Sequence, residues 1–174
     1  MRNPIAWLRR RNPDRENRRC IEELRRQGVR IGEGCLILSS YFSTEPYLIQ
    51  IGDRVAIAAG VRFITHNALA FRLRDRYANL QVFAPISVGD GTIIGLNAII
   101  LPGTVIGKDC FINAGAVVRG TIADDSAVGG NPAEVFGKVS DMLGRLLDSP
   151  GRLDVYHLPP TERRERIERH FGLR

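Results

Sequence analysis

The sequence is poor in residues that staple a chain, hold a metal or stack on bases. Of its 174 residues only three are cysteine and three histidine. An odd cysteine count argues against a disulfide framework, so a reducing cytoplasm is the expected home. Aromatic residues make up 7%, and few stand in the arginine-rich segments, which argues against nucleic-acid binding. No run of about 18 apolar residues occurs, so no membrane span is expected. Trp7-Leu8 stands near the start, but without an apolar h-region or a small-residue cleavage site, so no secretory signal is expected.

What the chain does contain is a period of six. Val88, Ile94, Ile100, Ile106, Ile112 and Val118 are aliphatic and β-branched, and Gly89, Gly95 and Gly107 follow three of them. Four residues on stand Thr92, Ala98, Thr104, Cys110, Ala116 and Ile122, mostly small. Gly91, Asn97, Gly103, Asp109 and Gly115 stand three residues after an aliphatic position, where a turn of positive φ fits. Neither a helix of period 3.6 nor a strand of period 2 accounts for this pattern. A parallel β-helix does: each repeat gives a short strand and a turn, and three repeats close a triangular coil. The aliphatic position then forms a continuous inward ladder, and the small position fills the corner. In this register Cys35 and Cys110 are small core residues rather than nucleophiles.

The register extends upstream through Ile31-Gly32-Glu33-Gly34-Cys35-Leu36-Ile37, then Ile51, Val55, Ile57, Val61 and Phe63, with Gly52-Asp53 and Gly60 at turns. Residues 39–46 and 67–85 interrupt it. The second interruption holds Arg72, Arg74, Asp75, Arg76 and Tyr77, and an insertion of that length in a compact domain points to function. The expected organisation is a helical segment over residues 1–29, a repeat body over 30–134 with the insertion at 67–85, and a helical tail over 135–174. Asn12 or Asp14 would cap a first helix running to Gln27 and stopped by Gly28. Val135 to Leu147 reads as a second helix, and Thr161 as the cap of a third ending near Phe171.

The formal net charge is +6. Arginines crowd both ends, from Arg9, Arg10 and Arg11 to Arg25 and Arg26, and from Arg163 to Arg169. Interleaved glutamates favour solvated helix faces, with attraction to an anionic membrane surface or a polyanionic substrate as the sharper reading.

His157 and His170 lie in the tail. His66 instead follows Phe63-Ile64-Thr65 directly, at the edge of the repeats and at the start of the insertion. Histidine is the side chain suited to taking a proton near neutral pH. Beside it the matching stretches accumulate: Ile51-Gly52-Asp53, Phe63-Ile64-Thr65-His66-Asn67, Val88-Gly89-Asp90-Gly91, Leu101-Pro102-Gly103-Thr104-Val105-Ile106-Gly107, Ile112-Asn113-Ala114-Gly115-Ala116-Val117-Val118 and Gly130-Asn131-Pro132-Ala133. Over about residues 30–137 the chain resembles the hexapeptide-repeat acyltransferases, in particular the sugar and polysaccharide O-acetyltransferases and the maltose and galactoside acetyltransferase branch.

That resemblance implies an all-β core, a left-handed parallel β-helix flanked by short N- and C-terminal α-helices. The left hand comes from the resemblance alone, since parallel crossovers are otherwise right-handed. It implies acetyl-CoA as co-substrate with no metal, a homotrimer with sites between subunits, and a saccharide or small-molecule acceptor. His66 would be the general base, and a backbone N–H near Asn97 or Ala98 of a neighbouring subunit would hold the oxyanion. CoA would run past Ala98, Ala114 and Gly115 to Arg119, Gly120 and Lys138; the family's usual Thr-Lys after the last Val-Val is Arg119-Gly120 here. Acceptor contacts would come from Glu45, Asn67, Arg72, Arg76 and Tyr77. Glu45 orients His66, binds an acceptor hydroxyl, or is a solvated loop carboxylate. Sugar O-acetylation leads. N-acetylation of an amino sugar and acetylation of a xenobiotic use the same residues, and a non-catalytic scaffold is the remaining reading. A carbonic anhydrase on the same coil would want three histidines on zinc, and only His66 lies near the repeats.

Overall fold

The six-residue ladder closes on itself in three dimensions. The computed structural model describes residues 13–173, so the readings placed on Trp7-Leu8, on Arg9, Arg10 and Arg11, and on Asn12 lie outside the described residues. The chain divides into two compact units, Met1–Val139 and Ser140–Arg174.

The first unit is a stack of three-sided coils. One face pairs β1 (Arg30–Ile31), β4 (Ile49–Ile51), β7 (Ile86–Val88), β10 (Val105–Ile106) and β13 (Thr121–Ile122). The second pairs β2 (Leu36–Ile37), β5 (Ala56–Ile57), β8 (Ile93–Ile94), β11 (Phe111–Ile112), β14 (Ser126–Gly130) and β15 (Ala133–Lys138). The third pairs β3 (Tyr41–Phe42), β6 (Arg62–Phe63), β9 (Ile99–Ile100) and β12 (Val117–Val118). Every pairing is parallel except β14 with β15.

Register makes the ladder. Val88 lies between Ile51 and Ile106, Ile94 between Ile57 and Ile112, and Ile100 between Phe63 and Val118. All are buried, so their apolar surface is removed from water at about 25 cal/mol per Å². The small column is buried too, and its polar members are satisfied: Thr92 Oγ1 donates to Gly107 O at 2.9 Å and Thr104 Oγ1 to Leu101 O at 2.6 Å. Cys35 and Cys110 belong to it, and burial pushes both thiols up, as befits filler rather than nucleophiles.

Ile122 departs from its expected place. It pairs with Ile106 and so belongs to the aliphatic ladder of β13, because a short turn at Arg119-Gly120 brings the chain round early. The turn positions are as expected in Asn97 and Asp109, non-glycine residues at φ 58° and 52°. At the Gly52-Asp53 turn the left-handed residue is Arg54, at φ 53°.

The glycines after the aliphatic positions serve close stacking. A Cβ on Gly95 would sit 2.6 Å from Ala114 N and 2.9 Å from Ile112 O, backbone atoms of the next coil. Gly95→Ala is therefore expected to force two coils apart and cost about 1–3 kcal/mol, the usual toll of overpacking, read as a lower urea midpoint.

Both ends of the stack are closed. Helix α1 (Pro13–Arg26) covers the first coil. Asn17 donates to Cys35 O at 2.8 Å and accepts from Ile37 N at 2.7 Å, which satisfies the open edge of β2. Arg25 donates to Ile31 O and Gly32 O at 2.8 and 3.0 Å, and pairs with Glu33. Asp14 lies inside the first turn rather than at the cap, since Pro13 opens the helix. Gly28, at φ 97°, ends it as expected.

At the far end the expected helix over Val135 to Leu147 begins only at Val139. Ala133–Lys138 instead form β15, which turns back antiparallel along β14 and covers that edge. The helical segment that remains, α2, is Val139–Leu147. In the second unit α3 runs Pro160–His170 with Phe171 at its C-cap. Thr161 is not its cap: Pro159 holds that place without a side-chain bond, and Pro160 fills the first helical position. Arg164 pairs with Glu168 at 2.6 Å, the expected i,i+4 partner, but the Glu168 side chain is only 17% exposed and so is not on a solvated face. No helix among the described residues is long and apolar enough to cross a membrane.

Candidate active site

Phe63 and Thr65 are two apart on an extended segment, so both face inward and are fully buried, while His66 between coil and insertion faces out. The base of the insertion is clamped. His66 bridges Phe83 antiparallel, Asn67 N donates to Val82 O at 2.8 Å, and Ala84 N to Thr65 O at 2.8 Å. Asn67 then turns the chain, its side chain accepting from Leu69 N at 2.9 Å to cap a 3-10 turn over Ala68–Leu73. That capping bond occupies the side-chain oxygen of Asn67.

Coil stacking supplies the partner. Phe42 pairs with Phe63, so the residues just beyond, Glu45 and His66, also meet, 21 positions apart. Glu45 Oε2 lies 3.4 Å from His66 Nδ1. The Thr65 hydroxyl donates to the same Oε2 at 2.7 Å and lies 2.7 Å from Ser43 Oγ, and Thr44 Oγ1 donates to Oε1 at 2.6 Å. Burial pushes the Glu45 carboxyl up, but the Thr44 and Thr65 hydroxyls and the His66 ring outweigh it and hold it below the usual carboxylate range. This geometry sets Glu45 against His66 rather than in open solvent. Its side chain is 14% exposed and that of His66 41% exposed, so the acid is tucked beneath a reachable imidazole.

A depressed folded value means Glu45 stabilises the fold above the ordinary glutamate pKa of about 4.3, and that contribution is lost as pH falls through the folded value. Glu45→Gln removes the linkage. Its unfolding free energy is therefore expected to fall less between neutral pH and pH of about 3 than that of the parent, as read in urea melts.

A cleft of about 430 Å³ opens over the pair, lined by Thr44, Glu45, His66 and Asn67 on the coil side and by Phe71, Arg74 and neighbours on the insertion side. Of the expected acceptor residues, Glu45 and Asn67 line it with His66. Arg72 lines an adjoining groove with Leu69 and Leu73, and neither Arg76 nor Tyr77 is on the wall of the cleft. Phe71, Arg74 and Thr65 were not singled out by sequence as site residues. The inward alternation from Phe63 was the signal for Thr65.

The expected donor residues divide. Ala98 is fully buried in the small column, so its side chain offers no surface to a ligand. The amides of Asn97 and Ala98 already donate, to Ala59 O at 3.1 Å and Gly95 O at 3.4 Å, so neither is a spare oxyanion donor. Ala114 and Gly115 are exposed at the corner between β11 and β12, Arg119 and Gly120 at the corner between β12 and β13, and Lys138 at the end of β15.

A parallel three-sided coil carrying a histidine beside a cleft defines a β-helical protein with a reachable imidazole at its site. The profile described as bacterial transferase hexapeptide (six repeats) matches residues 85–120. The chain is 38% identical over 131 residues to protein CapG of Staphylococcus aureus, covering 74% of this chain and 76% of CapG. It is 31% identical over 99 residues to the galactoside O-acetyltransferase of Escherichia coli, covering 56% of this chain and 47% of that protein. A crystal structure of a hexapeptide-repeat-containing acetyltransferase from Vibrio cholerae in complex with acetyl coenzyme A aligns with TM-score 0.57 and 31% identity, over 64% of this chain and 60% of that one. The chain thus spans about half of the galactoside enzyme and under two thirds of the Vibrio chain. It belongs to the hexapeptide-repeat acetyltransferase family, with the left-handed β-helix of that family, and is an acyltransferase.

Proposed function

We propose that the protein transfers the acetyl group of acetyl-CoA to a hydroxyl of a sugar or surface-polysaccharide precursor, with His66 as general base. The observation that carries this reading is the Glu45–His66 pair in the lining of the cleft. An alcohol is a weak nucleophile near neutral pH and needs a base within reach. With its Nδ1 proton toward Glu45 Oε2, the ring keeps Nε2 free to accept the acceptor proton. The acceptor oxygen attacks the thioester carbonyl, the C–S bond breaks, and the imidazolium returns its proton to the departing thiolate. The transfer is direct, and no enzyme nucleophile is required. The acetyl-CoA complex of the Vibrio relative supports the donor, and the galactoside O-acetyltransferase supports a sugar hydroxyl.

In this reading Glu45 is a positioning residue that keeps one imidazole tautomer and orientation. Ala114, Gly115, Arg119, Gly120 and Lys138 lie toward the later coils and accommodate CoA, with Arg119 and Lys138 near its phosphates. Activity resides in a homotrimer. Leu36, Leu38, Ile93 and Leu96 are 46–56% exposed on or beside the second face, apolar surface suited to a second copy of the coil. The three free thiols suit a cytoplasmic setting.

Purified protein incubated with acetyl-CoA and a panel of glycosides, with CoA release and ester formation both followed, tests the proposal. Ester formed in step with CoA release is the expected result. Acetylation of amines alone, or no transfer across the panel, would remove sugar O-acetylation.

A further inference from the structure

The proposed reaction leaves one charged group of the cleft without a task. Arg74 lines the cleft from the insertion, and Glu45 and His66 line the same cleft. Its guanidinium lies over the Phe71 ring, 5.2 Å from the centroid, and Phe71 lines the same cleft. No carboxylate among the described residues pairs with it. The carboxylate that shares the cleft is spent elsewhere, since Glu45 is bonded by Thr44, Thr65 and His66. The cleft therefore presents one anion bonded within the protein and one exposed cation with no carboxylate partner among the described residues. Around them Ala68, Ala70, Leu80 and Val82 are apolar and Gln81 is polar, and Phe71 is 68% exposed. Such a surface suits the C–H face of a pyranose stacked on an aromatic ring.

We infer that the acceptor is an acidic sugar, whose carboxylate or phosphate pairs with Arg74 while a hydroxyl elsewhere on the ring faces His66. The chemistry follows from the fork of the guanidinium. It binds a planar carboxylate or a phosphate through two parallel N–H donors, with the Phe71 ring beneath it. A neutral hexose would leave that cation to solvent and gain nothing from it. Charge also sets direction: with its anionic end at Arg74, the sugar enters in one orientation, which selects the hydroxyl that reaches the base. The CoA phosphates are the other anions within the proposed reaction, so the test must separate acceptor from donor.

The inference rests on the reading that acyl transfer to a sugar takes place at His66. The experiment uses the full-length protein, acetyl-CoA and matched acceptors: methyl glucuronide with methyl glucoside, methyl galacturonide with methyl galactoside, and glucose 1-phosphate with glucose. The acidic member of a pair is expected to have kcat/KM higher by about tenfold or more. Arg74→Gln is expected to erase most of that preference through the acceptor KM, while Arg74→Lys keeps part of it and the KM for acetyl-CoA stays unchanged in both. Circular dichroism checks that the exposed substitution leaves the fold intact. Neutral and acidic members used equally well, or a preference that survives Arg74→Gln, would overturn the inference. So would an Arg74→Gln effect confined to the KM for acetyl-CoA, which would give the cation to the donor phosphates. If neutral sugars are acetylated and acidic ones are not preferred, the acidic acceptor alone fails. If no sugar of either kind is acetylated, the sugar O-acetylation reading fails with it.

Discussion

His66→Ala is expected to lower kcat by about a hundredfold to ten-thousandfold, the usual worth of a positioned general base, while leaving acetyl-CoA binding intact. That corresponds to roughly 3–5 kcal/mol of transition-state stabilisation. The fold should be unaffected. The imidazole is 41% exposed and its neighbours are held by backbone bonds from Asn67 to Val82 and from Ala84 to Thr65. Loss of rate with an unchanged dissociation constant for acetyl-CoA, measured by calorimetry, separates a chemical role from a binding one. Glu45→Gln in the same assay should cost less than His66→Ala, because it removes the brace and keeps the base. Its distinguishing mark is an altered pH–rate profile rather than a raised KM.

The second large effect is on stability. Phe63→Ala is expected to cost about 3–5 kcal/mol, the range for deleting a fully buried aromatic side chain. Phe63 is completely buried and stacks on Phe42 with ring centroids 4.6 Å apart. In a chain of this size each kcal/mol moves Tm by about 2–4 °C, so thermal denaturation should fall by about 10 °C. The rings lie just before Glu45 and His66 on neighbouring coils, so the cavity would also loosen their meeting. The variant is expected to lose activity below its own melting range. Phe63→Leu, which keeps most of the volume, should recover most of both losses.

Much of the coil was legible because its physics is local and periodic. An aliphatic residue at every sixth place, a small one four later and a turn residue three later leave few alternatives, and Val88 to Val118 occupy the ladder accordingly. Periodicity fails where a coil changes length. Ile122 moves from the small column to the aliphatic ladder because the last turn is short, which only the pairing with Ile106 reveals. Val135 to Lys138 carry apolar spacing that reads equally well as helix, and the unpaired edge of β14 decides for strand. At the site, His66 was visible from its place between repeat and insertion. Its meeting with Glu45 stood only as one of three open readings, because their 21-residue separation departs from the 18 that separates Thr92 and Cys110 on regular coils. Arg74 and Phe71 were hidden for another reason. The insertion has no period, and its shape is set by the cap from Asn67 and the clamp to Val82.

The most direct test of the central claim, that acyl transfer to a hydroxyl takes place over His66, is a crystal structure with CoA and a bound glycoside acceptor. A ring hydroxyl within hydrogen-bond reach of His66 Nε2, about 2.6–3.2 Å, with the CoA sulfur on its far side, is the predicted arrangement. An acceptor held away from His66, with that nitrogen bonded only to protein or solvent, would contradict it.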